Sequence, residues 1–215
     1  MSFHGWPEEA LDFFDGLEED NSKAYWTAHR EVYDRAVLTP MTELAEDLSP
    51  EFGPVKIFRP YRDIRFSADK SPYKTEIGAF VGSGYIRLSA AGLAAGSGMF
   101  HLAADQLTRY REAVDGDVSG SELAAIVAGL TAGGCSMIGR DVLKSAPRGF
   151  SAEHPRIELL RYKGIAAFRQ WPAEPWLATA AAADRVREFL RGARPLNGWL
   201  DAHVGPSELP EGRRR

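Results

Sequence analysis

The chain has one cysteine in 215 residues, Cys135, so no disulfide can form within it and no multi-cysteine zinc or iron–sulfur site can be built. Cys135 follows a Gly-Gly pair and reads as a small turn residue, since no base stands near it in sequence to activate a thiolate. Its five histidines, His4, His29, His101, His154 and His203, form neither a His-Glu-x-x-His motif nor a helical His-x-x-x-His pair. No Gly-x-Ser-x-Gly elbow, Walker sequence or dinucleotide fingerprint is present, so no cofactor is legible. No apolar run approaches the ~18 residues of a membrane span, and Met1 to Gly5 lack the basic and apolar regions of a signal peptide. These absences lead us to expect a cytoplasmic protein that does not enter a membrane. There is also no basic excess. The net charge is −4, which argues against a general nucleic-acid coat.

What is present is ordinary globular composition, 44% hydrophobic and 26% charged. The first fifty residues read as helical. Leu11, Phe14 and Leu17 recur on one side of a first helix opened by Pro7. Asn21 is positioned to cap a second, with Tyr25, Trp26, His29, Val32 and Tyr33 as an apolar-aromatic stripe read mainly as core. Pro40 reads as a break before a short helix over 41–48 that stops ahead of Pro50. Strands are expected at 55–59, 75–81, 85–89 and 93–100, with Gly82-Ser83-Gly84 as a hairpin signal. Helices follow at 103–114 and 121–130, the latter with Ser121 as its expected cap. A turn-rich connector, 141–155, leads to a helix at 156–161, a late strand at 165–171 and helices at 179–191 and 195–203. The expectation is a single α+β domain over 1–204, with helices packed on an antiparallel sheet of about four to five strands. Residues 205–215, ending in Arg-Arg-Arg, are expected to form a disordered tail.

One segment stands apart. Arg59-Pro-Tyr-Arg62-Asp63-Ile-Arg65-Phe66-Ser-Ala-Asp69-Lys70-Ser-Pro72-Tyr73-Lys74 carries five cations and two carboxylates in an acidic chain. Arginine forks match carboxylate or phosphate oxygens in bidentate geometry, and lysines add mobile point charges. Pro60 and Pro72 restrict the loop, which suits a preorganised site. The candidate ligand-binding set is therefore Arg59, Arg62, Asp63, Arg65, Lys70, Tyr73 and Lys74, with Asp63 orienting one guanidinium. An equally open reading pairs Asp63 and Asp69 with the cations in a structural network.

The same residues carry a resemblance. The pattern Arg-x-x-Arg-Asp-x-Arg-Phe-x-x-x-Lys-x-Pro-Tyr-Lys, filled by Arg59, Arg62, Asp63, Arg65, Phe66, Lys70, Pro72, Tyr73 and Lys74, resembles the signature of a bacterial family, domain of unknown function 2461. Asn21, Trp26, Gly96-Ser97-Gly98 and the Lys144…Pro147-Arg148-Gly149-Phe150 stretch resemble its flanking features, so the likeness spans residues 3 to 203. Ser22 stands where the family has a second Asn, and Arg148 replaces a Lys. The resemblance implies no reaction, but it favours a motif with a ligand-facing role.

Three functions compete. The first is a pocket for a small anionic ligand, phosphorylated or nucleotide-like, held by the cations with Tyr73 as a further donor. The second is a binding module for nucleic acid or an acidic protein, with Tyr61 and Phe66 as stacking surfaces. The third is a purely structural loop with function elsewhere. His101 is the best general-base candidate, while Asp63 is weakened as a base by its arginines. Gly92, Gly96 and Gly98 interrupt a strand and read as a bulge or as a pocket floor.

Overall fold

A computed structural model describes residues 2–63, 65 and 69–210. The α+β expectation holds, but the described residues form a six-stranded antiparallel sheet, in the order β1-β2-β3-β4-β6-β5. These strands are β1 Val55–Ile57, β2 Glu76–Val81, β3 Gly84–Ser89, β4 Gly92–Met99, β5 Ser136–Ile138 and β6 Ile165–Trp171. The strand missing from the expected count is β5. Its three residues are too few to show alternation, and only pairing with Ala166–Phe168 of β6 defines it.

Contacts divide the chain into two compact units. The first holds the residues up to Ala95 together with Gln170–Leu190. Helix α1 (Glu9–Glu19) buries Ala10, Phe13, Phe14 and Leu17, a wider face than the three-residue pattern suggests. Helix α2 (Lys23–Ala28) is capped by Ser22, whose Oγ accepts the Tyr25 N–H, so the cap lies one residue beyond the expected Asn21.

Pro40 does not break the helix. Helix α3 (Arg30–Val32) runs through a π turn, Tyr33–Leu38, into α4 (Thr39–Phe52), with Pro40 in its first turn. A proline has no N–H to give the preceding turn, and a widened turn ahead of it accommodates the ring. Helix α4 also passes through Pro50, its buried Leu44 and Leu48 belonging to the face that meets β1 and β2. Packing of that face outweighs the local penalty.

Strands β2 and β3 turn their core face inward through Ile77, Ala79, Val81, Ile86 and Leu88, all buried. Their register pairs Gly78 with Arg87 and Phe80 with Tyr85, which sets Glu76, Gly78, Phe80, Tyr85 and Arg87 on the opposite face. Helix α8 (Ala181–Gly192), following a 3-10 turn at Pro175–Ala178, brings Leu190 against Gly84.

The second unit is helical around its share of the sheet. Helix α5 (Ala104–Asp115) contacts α6 (Asp117–Ala132), α7 (Ile157–Leu160) and α9 (Arg194–His203), and α6 contacts α9. Helix α6 starts four residues before the expected Ser121, directly after Gly116. The Arg156 side chain closes the end of α5, donating to the carbonyls of Val114 at 2.7 Å, Asp115 at 2.8 Å and Gly116 at 3.3 Å. Within the expected tail, Ser207 Oγ and the Glu208 N–H each donate to Asp105 at 2.8 Å. Residues 211–215 lie outside the described residues.

Candidate functional site

The cationic segment is held by a short two-stranded stem. Tyr61 and Tyr73 form an antiparallel bridge. The Arg62 N–H donates to Pro72 O at 2.9 Å and the Lys74 N–H to Pro60 O at 2.8 Å. Both prolines thus serve as acceptors, the one ladder role a proline keeps.

Tyr73 locks the stem to the helices. Its ring is 6% exposed and stacks on Trp26, itself 5% exposed, with centroids 4.4 Å apart and an interplanar angle of 7°. The Asn21 carboxamide fixes its backbone, accepting the Tyr73 N–H at 3.0 Å and donating to the Tyr73 carbonyl at 3.1 Å. A primary amide has one donor edge and one acceptor edge, so it pairs with a backbone much as a strand does.

Both motif carboxylates pair within the segment. Arg65 Nε and Nη2 donate to Asp63 at 2.9 and 2.7 Å, and Arg62 Nη1 donates to Asp69. Asp69 also accepts the Ser71 N–H at 2.9 Å. Hydrogen bonds from Ser71 and Arg62 hold the Asp69 carboxyl down at about 2. Bonds from Arg65, with the nearby Arg59 charge, lower that of Asp63 and make it a poor base. The Arg65 side chain remains 76% exposed, so its pair with Asp63 lies in water.

Next to the stem, within the first unit, lies a polar cleft of about 440 Å³ lined by Arg62, Asp63, Lys74, Thr75 and Glu76. Glu76 is fixed from the strand side, accepting from Tyr85 Oη at 3.4 Å and Arg87 Nη1 at 3.2 Å. Burial and the Glu76 charge push the Tyr85 phenol up to about 12. The Lys74 ammonium sits 5.4 Å from the centre of the Phe58 ring.

Of the seven expected residues, Arg62, Asp63 and Lys74 line the cleft. Arg59, Arg65 and Lys70 are exposed on the same segment, and Tyr73 points into the core. Phe66, expected as a stacking surface, lies outside the described residues, whereas Tyr61 is 46% exposed. Thr75 and Glu76 were missed because they lie at the start of β2, just past the motif, and carry no signal of their own.

The other candidates sit elsewhere in sequence and contact. Gly98, with φ +135°, faces the β6 backbone so closely that a Cβ would meet Ile165 O at 2.6 Å, which accounts for this glycine structurally. His101 is half-buried in the second unit and does not line the cleft. Cys135 is half-buried after α6, and burial pushes its thiol up against an opposing effect of Arg169. Among the described residues, no group of three or more His, Cys, Asp or Glu is placed to hold a metal, and no helix is long and apolar enough to cross a membrane.

No curated protein and no solved structure matches the chain. A family model does, over residues 9–199, which include the stem, the cleft and the Asn21–Tyr73 clasp. The chain belongs to the conserved hypothetical protein family DUF2461, the domain of unknown function 2461.

Proposed function

We propose that the cleft beside the Tyr61–Tyr73 stem binds a small anionic ligand, with a phosphate or carboxylate between Arg62 and Lys74. The observation that carries this reading is the convergence of those two cations on one concave polar surface. Arg62 is bonded to Asp69 through Nη1, one part of a group with five N–H donors. Asp63, which lines the cleft, is paired with the exposed Arg65, whose guanidinium offsets the carboxylate's repulsion of an incoming anion.

The net charge of −4 favours a small ligand over a nucleic-acid strand, whose backbone would meet repulsion beyond the local patch. The exposed Tyr61 ring is the feature that would serve a single strand by stacking. A cytoplasmic setting fits a phosphorylated metabolite as ligand.

The test is thermal unfolding of the wild type, Lys74→Met and Arg65→Ala against phosphates, sugar phosphates, nucleotides, dicarboxylates and a short oligonucleotide. Lys74→Met keeps an unbranched apolar stem beside Phe58 and removes only the charge. A ligand at ~100 times its Kd stabilises by about 2.7 kcal/mol. Stabilisation by one anion class, lost in a folded Lys74→Met and weakened in Arg65→Ala, supports the pocket. Tight binding of the oligonucleotide alone, steeply dependent on salt, points to the nucleic-acid reading. No response to any anion leaves the segment as scaffold.

A further inference from the structure

The outer face of β2 and β3 continues from the cleft into an aromatic platform. Lys74 touches Phe58 at 5.4 Å, and Phe58 meets Phe80 edge-on with centroids 5.0 Å apart. Tyr85 lies 5.6 Å from Phe80 and hydrogen-bonds Glu76 in the cleft. Gly78 permits this closure, because a Cβ there would meet Tyr85 Oη at 3.0 Å and Phe58 Cδ2 at 3.1 Å. Phe80 nevertheless remains 43% exposed, a large apolar ring kept at the surface beside a charged cleft.

Resting on the anion-site reading above, we infer that the ligand is a nucleoside monophosphate. Its phosphate lies at Arg62 and Lys74, and its base lies against Phe80. Two observations narrow the class. The Lys74 ammonium and the Phe80 ring both pack on Phe58, 5.4 and 5.0 Å from its centre, so the charged and aromatic ends stand one side chain apart, as a sugar sets a phosphate apart from a base. Glu76 lies in the cleft with both oxygens oriented by Tyr85 and Arg87. A carboxylate has about four lone-pair positions, so Glu76 can also accept a sugar hydroxyl. A ligand without a ring would gain nothing from Phe80, and one without hydroxyls would leave Glu76 unused. A ring-bearing phosphate with a hydroxylated linker uses all three features.

The experiment is calorimetric titration of adenosine and uridine 5′-monophosphates, ribose 5-phosphate and inorganic phosphate into wild type, Phe80→Ala and Phe80→Leu. In the wild type, at least one nucleotide should bind between about five- and one-hundred-fold more tightly than ribose 5-phosphate, the range a stacked base contributes. Both Phe80 variants should remove that advantage while leaving ribose 5-phosphate affinity unchanged. Phe80→Leu keeps apolar cover over the sheet, so it reports the aromatic face if Phe80→Ala fails to fold. Ribose 5-phosphate binding as tightly as both nucleotides, or a nucleotide preference that survives both variants, overturns the base subsite and leaves the anion site standing. Failure of all four compounds to bind overturns the phosphate reading of the cleft and the base subsite with it.

Discussion

The side chain of Asn21 holds the backbone of Tyr73 across 52 residues of sequence, donating to its carbonyl at 3.1 Å and accepting its N–H at 3.0 Å. This clasp joins the end of the first helix to the end of the cationic segment. Lys74, the next residue, is delivered to the cleft by the same backbone.

Asn21→Ala should therefore destabilise the fold and disorder the segment together. Three bonds are lost, the two to Tyr73 and a longer one to Leu17 O at 3.4 Å, and the two Tyr73 backbone groups lose their partner, so a cost of about 2 kcal/mol is expected in urea unfolding. Asn21→Asp should not rescue it, because a carboxylate accepts the Tyr73 N–H but faces the Tyr73 carbonyl with a second oxygen. A change below about 0.5 kcal/mol in Asn21→Ala, within the range of ordinary surface substitutions, would show that the Trp26–Tyr73 stack alone fixes the stem.

Acid should release the C-terminal strap. Burial raises the Asp105 carboxyl, but bonds from the Glu208 and Gln106 N–H groups and the Ser207 hydroxyl, with the Arg109 charge, outweigh it and set the value at about 2. A group lowered on folding stabilises fully above its unfolded value of about 3.9, and that contribution disappears as pH falls through the folded value. The stability difference between wild type and Asp105→Asn should hold constant above about pH 5 and close between about pH 4 and 2. Hydrogen exchange at the Glu208 amide should accelerate over the same window. A carboxyl titration of Asp105 near 3.9, followed by NMR, would contradict the assignment.

Arg156 should be among the costliest single losses in the second unit. Its side chain is 13% exposed and donates to three consecutive carbonyls where α5 ends, the last of which, Gly116 O, also accepts the Gly120 N–H of α6. Arg156→Ala should cost about 3 kcal/mol, since bonds from charged donors contribute more than neutral ones. Arg156→Lys should recover less than half, because a single ammonium cannot reproduce the planar fork. Equal stability of the Lys variant and wild type would mean that charge at the helix end, not the fork, is what matters.

The order of helices and strands was legible because hydrophobic period and turn chemistry are local. The β2–β3 hairpin and the segments around 104–115, 165–171 and 194–203 fall close to where the pattern places them. Local signals failed where tertiary packing overrode them. Pro40 and Pro50 read as breaks, yet the face of α4 that packs on β1 and β2 carries the helix past both. Asn21 read as a cap for the helix that follows it, but its two shorter bonds go to Tyr73, 52 residues away, and a longer one goes back to Leu17 O at 3.4 Å.

For the candidate site, sequence by itself determined the inventory: a concentrated set of arginines, lysines and carboxylates in an acidic chain, bounded by two prolines. Charge type and spacing are written in the chain and need no fold to be read. Only the tertiary structure decided the division of labour among them. Asp63 and Asp69 pair within the segment, Tyr73 is spent on Trp26, and Arg62 and Lys74 reach the cleft. It also brought in Glu76, Phe58 and Phe80, which carry no signal in sequence. The physical reason is that a side chain's role depends on which face of a strand it occupies and what packs beside it. Both are settled by the pairing of β1, β2 and β3 and by the clasp from Asn21.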